Sequence, residues 1–188
     1  MKRRVFVAIN LPENIKKRLL EFGKKWEHLP VRWTKKDSLH LTLVFIGYVS
    51  NEEMLEICRI TRDVALKFEP FNIGFKHILC GPINKPPRMI WLKGKANAIL
   101  VEIKKELEEA LTGSGKIGAF RIENRPFSPH ITLARIKMGQ WHNLPEQPEI
   151  DQEFKFSVPV SSLDVMESDL RGDGAEYTIL ESCPLGGE

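Results

Sequence analysis

Two segments of the chain carry the same short pattern, His40-Leu41-Thr42-Leu43 and His130-Ile131-Thr132-Leu133, ninety residues apart. The pattern alternates polar and apolar residues with the period of a β-strand, whose successive side chains point to opposite faces. Each segment is therefore expected to be a strand that shows an imidazole and a hydroxyl on one face and anchors aliphatic side chains in a core on the other. His40 and Thr42 share the open face, with Leu41, Leu43 and Phe45 inward; His130 and Thr132 share it in the second segment, with Ile131 and Leu133 inward. With five histidines and six threonines in 188 residues, two such coincidences arise by chance in roughly one chain in a hundred. The fold must accommodate two half-open strands of this kind.

The surrounding sequence supplies other strands and helices. Apolar runs predict strands over Arg4–Ile9, Val31–Trp33, Leu39–Phe45, Phe71–Ile78, Met89–Lys93, Glu153–Val160, Leu163–Glu167 and Glu176–Leu180, besides His130–Ala134. Ile15, Leu19, Phe22 and Trp26 fall at steps of four, three and four, which marks an amphipathic helix over Asn14–Glu27. Ser50 and Glu53 form a capping-box pattern ahead of a second helix, whose inner face is expected to carry Met54, Ile57, Cys58, Val64 and Ala65. A third helix is expected over Ala96–Leu111 with Ile99, Leu100, Ile103 and Leu107 inside; Thr112–Gly118 reads as a turn and Gln140–Pro148 as a loop. Strands and a helix precede each His-x-Thr strand, so the order of elements suggests a pseudo-duplicated α+β protein.

Length suits one domain or two intimate lobes. Hydrophobic residues make up 42% of the chain, enough for a core, and no apolar run approaches the roughly 20 residues that span a bilayer. Met-Lys-Arg-Arg at the start is followed by an apolar run too short for a signal peptide, so a cytoplasmic protein is expected. Cys58, Cys80 and Cys183 are widely spaced without Cys-x-x-Cys, which fits buried thiols in a reducing compartment and argues against structural zinc. The net charge of +3 permits a polyanionic partner without demanding one. Basic residues cluster locally, at Arg32 with Lys35 and Lys36, Lys85 with Arg88, Arg121 with Arg125, and Arg135 with Lys137. Each cluster taken alone reads as solvated surface.

The chemistry that two histidines and two threonines can do together is in-line opening of a phosphodiester. One imidazole takes a proton from water and the other gives a proton to the departing oxygen, which requires one neutral and one protonated ring at the same pH. The hydroxyls donate to the non-bridging oxygens as charge builds there. The scheme uses neither metal nor cofactor, and the sequence shows no clear His, Asp and Glu cluster at ligand spacing.

Residues 33–47 (Trp33, then Ser38 through Gly47) and 125–135 (Arg125-Pro126-Phe127-Ser128-Pro129-His130-Ile131-Thr132-Leu133-Ala134-Arg135) resemble the RNA 2′,3′-cyclic phosphodiesterases. That family is also called 2′-5′ RNA ligase and belongs to the 2H phosphoesterase superfamily. Arg4–Ile9, Glu167–Leu170 and Gly174–Tyr177 extend the likeness over nearly the whole chain. The resemblance implies a single domain over residues 1–188, an α+β fold of two pseudo-symmetric lobes whose antiparallel sheets line a central cleft, with helices outside and one motif per lobe. It implies hydrolysis of a cyclic phosphate to a 2′-phosphate, with His40 as proton donor, His130 as proton acceptor, and Thr42, Thr132 and Arg135 on the phosphate. It further implies ATP-independent 2′-5′ ligation. The expected partners are RNA ends bearing a 2′,3′-cyclic phosphate or a 5′-hydroxyl, tRNA halves among them; no membrane is involved, and the protein is a monomer.

Strict alternation puts Arg135 on the core face with Ile131 and Leu133. Either the strand ends near Ala134 or a bulge re-aims the chain. Trp33 and Phe127 lie close to the motifs and are candidates for stacking on a base, against the commoner role of aromatic side chains in a core. Gly113-Ser114-Gly115-Lys116 fails as a phosphate-binding loop, because Leu111 and Ile117 stand where Gly and Ser or Thr are needed. Arg171-Gly172-Asp173 reads as a turn, and His28, His77 and His142 as surface or structural residues. The competing functions are cyclic phosphodiesterase action on a small nucleotide or ADP-ribose cyclic phosphate, and a non-catalytic nucleotide- or RNA-binding module on the same scaffold.

Overall fold

The two motif strands meet in the middle of one antiparallel sheet. The computed structural model describes residues 2–82, 85–95, 97–118, 120–123, 126–171 and 174–186. Arg125, Ala96 and the Gly172-Asp173 pair, all noted in the sequence, lie outside the described residues.

The strands are β1 (Arg3–Asn10), β2 (Val31–Trp33), β3 (His40–Val49), β4 (Phe71–Gly81), β5 (Met89–Gly94), β6 (His130–Ile136), β7 (Asp151–Val160), β8 (Ser162–Arg171) and β9 (Gly174–Pro184). They lie side by side in the order β7-β4-β5-β6-β3-β1-β8-β9, with β2 added against β6. Read outward from the β6–β3 seam, the two halves match: β5 answers to β1, β4 to β8 and β7 to β9. The pseudo-duplication expected from the order of elements is thus a pseudo-twofold relation about the seam.

The helices are α1 (Glu13–Gly23), α2 (Asn51–Ala65), α3 (Ala98–Gly113) and α4 (Met138–His142). The box at the start of α2 forms as read: Ser50 Oγ accepts from the Glu53 amide and the Glu53 carboxylate accepts from the Ser50 amide. Such caps contribute about 1 kcal/mol. Ile57, Cys58, Ile60, Thr61, Val64 and Ala65 of α2 are buried, and α2 packs on α3 and on β8. Along α3 the buried stripe is Leu100, Ile103, Leu107 and Leu111; Ile99, expected inside, is 41% exposed. The stripe runs from Leu100 at steps of three, four and four, and Ile99 falls at its edge in the first turn of the helix. Residues 140–142, expected in a loop, belong to α4, which buries Trp141.

The helix-facing side of the sheet carries the main core, including Val5, Val7, Ile9, Leu41, Leu43, Ile131 and Leu133. The opposite face of β1 and β8 holds a small separate cluster of Phe6, Ala8 and Met166, with Tyr177 packed against it. That second face is where His40 and His130 stand. No helix among the described residues is long and apolar enough to cross a membrane.

Candidate active site

Leu41 pairs with Ile131 at the seam, and both side chains are fully buried. Antiparallel pairing at that point sets Thr42 beside His130 and His40 beside Thr132. The four polar side chains therefore form a compact square on one face, pinned from behind by two buried aliphatics. Truncating either aliphatic to Ala costs about 2–5 kcal/mol.

Both histidines are held in the same way. Nδ1 of His40 lies 2.8 Å from the Ser38 carbonyl, and Nδ1 of His130 lies 2.8 Å from the Ser128 carbonyl. A carbonyl only accepts, so each Nδ1 carries the proton and donates it. That leaves each Nε2 with a lone pair directed away from the backbone. A serine two residues before each histidine was visible in the sequence, but its working part is the carbonyl, which any residue supplies.

Aromatic rings buttress the imidazoles. The His40 ring lies 5.0 Å from Phe6 and meets the edge of Tyr177 at 4.8 Å. The His130 ring lies 4.1 Å from Trp91. Trp91 in turn lies over Gly81, where an added Cβ would come within 2.2 Å of the indole. Gly81 is thus the residue that lets the indole rest against His130.

Burial pushes the His40 imidazole down to about 4, helped by the buried Lys16 ammonium and by His130, and opposed by the Ser38 hydrogen bond. Burial also lowers His130 below its ordinary value of 6.5, opposed by the Ser128 hydrogen bond. Both rings are therefore neutral at pH 7 in the unliganded site.

The position of Arg135 is settled by a bulge. Ile90 pairs with Ala134 but Trp91 pairs with Thr132, which leaves Leu133 as an extra residue. The same thing happens on β3: Val7 pairs with Val44 and Ala8 with Thr42, leaving Leu43 extra. Both strands consequently share one burial pattern, with two successive buried residues after each His-x-Thr and then an exposed one. The exposed residue is Arg135 on β6 and Phe45 on β3. Phe45, expected in the core from strict alternation, is 61% exposed. Arg135 shares the face of the square, since its Nη1 and the Thr132 hydroxyl both approach Met89 Sδ, at 3.8 and 3.9 Å. Arg32 stands opposite it on β2.

The structure thus gathers His40, Thr42, His130, Thr132 and Arg135 on one face. It does not bring Trp33 or Phe127 into ring contact with either histidine. Trp33 packs its ring on Gly23, and its indole nitrogen is buried without a partner. Phe127 packs on the main core, with the Lys104 ammonium 5.8 Å from its ring centre. Sequence reasoning missed Trp91 and Met89. Phe6 and Tyr177 lay inside the segments of family resemblance without a role attached.

Known proteins resemble this chain in sequence and in fold. The sequence matches the family described as LigT like phosphoesterase over residues 9–91 and 95–175. It is 36% identical over 180 residues to the RNA 2′,3′-cyclic phosphodiesterase of Methanocaldococcus jannaschii, covering 95% of this chain and 98% of that one. It is 30% identical over 193 residues to the protein of the same name from Thermotoga maritima, covering 98% and 96%. Among solved structures, TT0787 of Thermus thermophilus matches with a TM-score of 0.85 at 29% identity, covering 98% of this chain and 99% of that one. E. coli LigT complexed with 3′-AMP matches with a TM-score of 0.79 at 26% identity, again over 98% and 99%.

Proposed function

Because the chain belongs to the LigT-like phosphoesterase family, we propose that its cleft opens 2′,3′-cyclic phosphates at RNA ends, leaving a 2′-phosphate, with two histidines moving the protons. The observation that carries this reading is the pair of matched imidazoles across the Leu41–Ile131 seam, each with Nε2 unencumbered by its backbone bond. Water approaches phosphorus from the side opposite O3′. His130 Nε2 takes its proton, and His40 Nε2 delivers a proton to O3′ as the P–O3′ bond breaks. The Thr42 and Thr132 hydroxyls donate to the non-bridging oxygens, and the Arg135 guanidinium pairs with the phosphate. The curated relatives named as RNA phosphodiesterases support RNA as the substrate class. Tyrosine and phenylalanine behind His40, and Trp91 behind His130, exclude water from one side of each ring and preserve its orientation.

A 5′-hydroxyl in the place of water turns the same step into 2′–5′ ligation. No nucleoside triphosphate is consumed, because the cyclic ester already holds the energy. One chain supplies every group in the scheme, so a monomer suffices. Halves of a cleaved tRNA present both the cyclic phosphate and the 5′-hydroxyl this chemistry handles. A cytoplasmic location suits the three free thiols.

The direct test is purified protein with an oligonucleotide ending in a 2′,3′-cyclic phosphate, in excess EDTA. The expected product is the 2′-phosphate at an undiminished rate. Loss of turnover in the chelator, restored by zinc or magnesium, overturns the two-histidine scheme.

Acidity provides a second check. The active form of the free enzyme needs His40 protonated and His130 neutral. Protonated His40 falls away above its pKa of about 4, and neutral His130 falls away below its own pKa, itself lowered from 6.5. The profile of kcat/KM, which reports the free enzyme, is therefore a bell with its optimum on the acid side of neutrality. A bound phosphate anion favours both protonated rings, so the kcat profile lies at higher pH. Stopped assays across pH 3–9 read both curves; a kcat/KM optimum above that of kcat contradicts the two-histidine scheme.

Arg135→Ala is expected to lower kcat/KM by roughly 10²-fold, the scale of losing one charge-stabilising donor in a phosphate site. Lys137→Ala, two residues on and exposed at the start of α4, changes it little. RNA affinity in both proteins weakens as salt rises, because neutralised phosphates release counterions. Equal kinetic effects of the two substitutions reduce Arg135 to general surface charge.

A further inference from the structure

Arg135 is not the only guanidinium at its end of the square. Strand β5 occupies one edge of β6 from His130 to Arg135, so β3 and β2 follow one another along the other edge. The side chains that this edge adds to the face of the square are Thr42, then His40, then Arg32, which extends the line of the first motif beyond His40. Its orientation is fixed from behind. Val31 and Trp33 turn toward the main core, opposite the buried Ile136 and Ala134, and period two sends Arg32 to the other face, where it is exposed.

Arg32 stands directly opposite Arg135. Cβ atoms of such cross-strand neighbours lie about 4.5–5.5 Å apart, and like charges placed there repel. Among the described residues no carboxylate pairs with either guanidinium; Arg135 reaches only the Met89 sulfur. Nearby lysines do find acids, Lys35 with Glu176 at 3.7 Å and Lys36 with Glu13 at 2.6 Å. Two adjacent guanidiniums on an open cleft face, without acidic partners, suit a ligand that carries two successive anions.

We infer that Arg32 binds the phosphodiester on the 5′ side of the terminal nucleotide, and that this contact makes an RNA end a better substrate than a cyclic mononucleotide. The inference rests on the proposed reading of the site, with His40 delivering its proton to O3′. That role puts O3′, and with it C3′, on the His40 side. C4′ is bonded to C3′ and carries C5′, so the strand leaves the ribose on that side, toward Arg32. The base, on C1′ next to C2′, lies the other way. Arg135 keeps the cyclic phosphate and Arg32 takes the next one, each guanidinium presenting a planar fork to phosphate oxygens. A cyclic mononucleotide carries a hydroxyl at C5′ in place of that second phosphate and leaves the charge of Arg32 unmatched.

The experiment compares kcat/KM on three substrates: adenosine 2′,3′-cyclic phosphate, the adenosine dinucleotide ending in the same cyclic phosphate, and that dinucleotide with a neutral methylphosphonate at its internal link. The wild type is expected to favour the normal dinucleotide over the mononucleotide at least about tenfold, the scale of one charge-assisted hydrogen-bonded pair, and to lose that preference with the methylphosphonate. Arg32→Gln is expected to bring the dinucleotide-to-mononucleotide ratio to within about threefold of unity, through KM rather than kcat, as loss of uniform binding does. Arg32→Lys keeps the charge without the fork and is expected to hold a ratio at least about threefold above that of Arg32→Gln. A preference that survives either the methylphosphonate or Arg32→Gln overturns the inference, as does a wild type that does not distinguish dinucleotide from mononucleotide. Each of these outcomes leaves the hydrolytic reading standing, because the cyclic phosphate is still opened. A wild type that opens none of the three substrates removes that reading and the inference with it.

Discussion

His40→Ala, His130→Ala and the double variant are each expected to lose about 10²–10⁴-fold in single-turnover rate on a cyclic-phosphate oligonucleotide, with the double little slower than the slower single. The reason is the shared transition state. Taking the nucleophile's proton achieves little if the leaving oxygen cannot be protonated, and the converse holds equally. The two rings lie on neighbouring strands, and His130 is among the groups that hold His40 down. Neither ring supports the main core, which lies on the other face of the sheet. The variants should therefore keep their melting temperature within a few degrees. A double variant slower than either single by the full product of the two losses means the histidines act independently, and the paired scheme fails.

The square was legible in the sequence because a strand's period of two leaves no freedom. Once Leu41 and Ile131 are buried, His40, Thr42, His130 and Thr132 must face the other way. The capping box at Ser50 and the brief strand Val31–Trp33 were legible for similar local reasons. Phe45 was misplaced because period two was carried through a bulge. The warning was present in the second motif: continuing the alternation past Leu133 would bury Arg135, and an unpaired guanidinium in a core is too costly to be tolerated. The same extra residue in β3 carries no such warning, because Val44 and Phe45 are both apolar and either could have been buried. Phe45 could have been placed only by carrying the bulge across the pseudo-twofold relation, which itself emerges from strand order rather than from sequence similarity. Trp91 and Gly81 were out of reach for a different reason. Their contact joins β4 to β5, and the indole's position against His130 depends on a Cβ that is missing from a third residue. The end of α1 shows the same limit on a smaller scale. The helical spacing runs on to Trp26, but α1 stops at Gly23 and the chain tightens into a 3₁₀ turn over Lys24–Trp26.

Replacing the 3′-oxygen of the cyclic phosphate by sulfur is expected to restore most of the rate lost in His40→Ala and almost none of that lost in His130→Ala. A thiolate leaves without a proton at neutral pH far more readily than an alkoxide, since thiols ionise near about 8.5 and hydroxyls much higher. The sulfur substrate thus removes the need for a general acid and keeps the need for a base on the nucleophile. The unliganded structure alone does not favour His40 as the acid, because burial holds it down to about 4 and leaves it almost wholly neutral at pH 7. Two effects act in its favour once substrate is bound. The phosphate anion beside it favours the imidazolium, and an imidazolium of low intrinsic pKa gives up its proton to the departing oxygen more readily than one of ordinary acidity. The wild type should gain little from the sulfur substrate, since its acid already does the work. His40→Ala should recover by at least about 10²-fold, the lower end of what a positioned acid contributes. Recovery of His130→Ala instead exchanges the two roles. Recovery of neither variant means that proton transfer to the leaving oxygen is not what either histidine supplies. Their contribution would then have to be electrostatic, through charge held against the non-bridging oxygens.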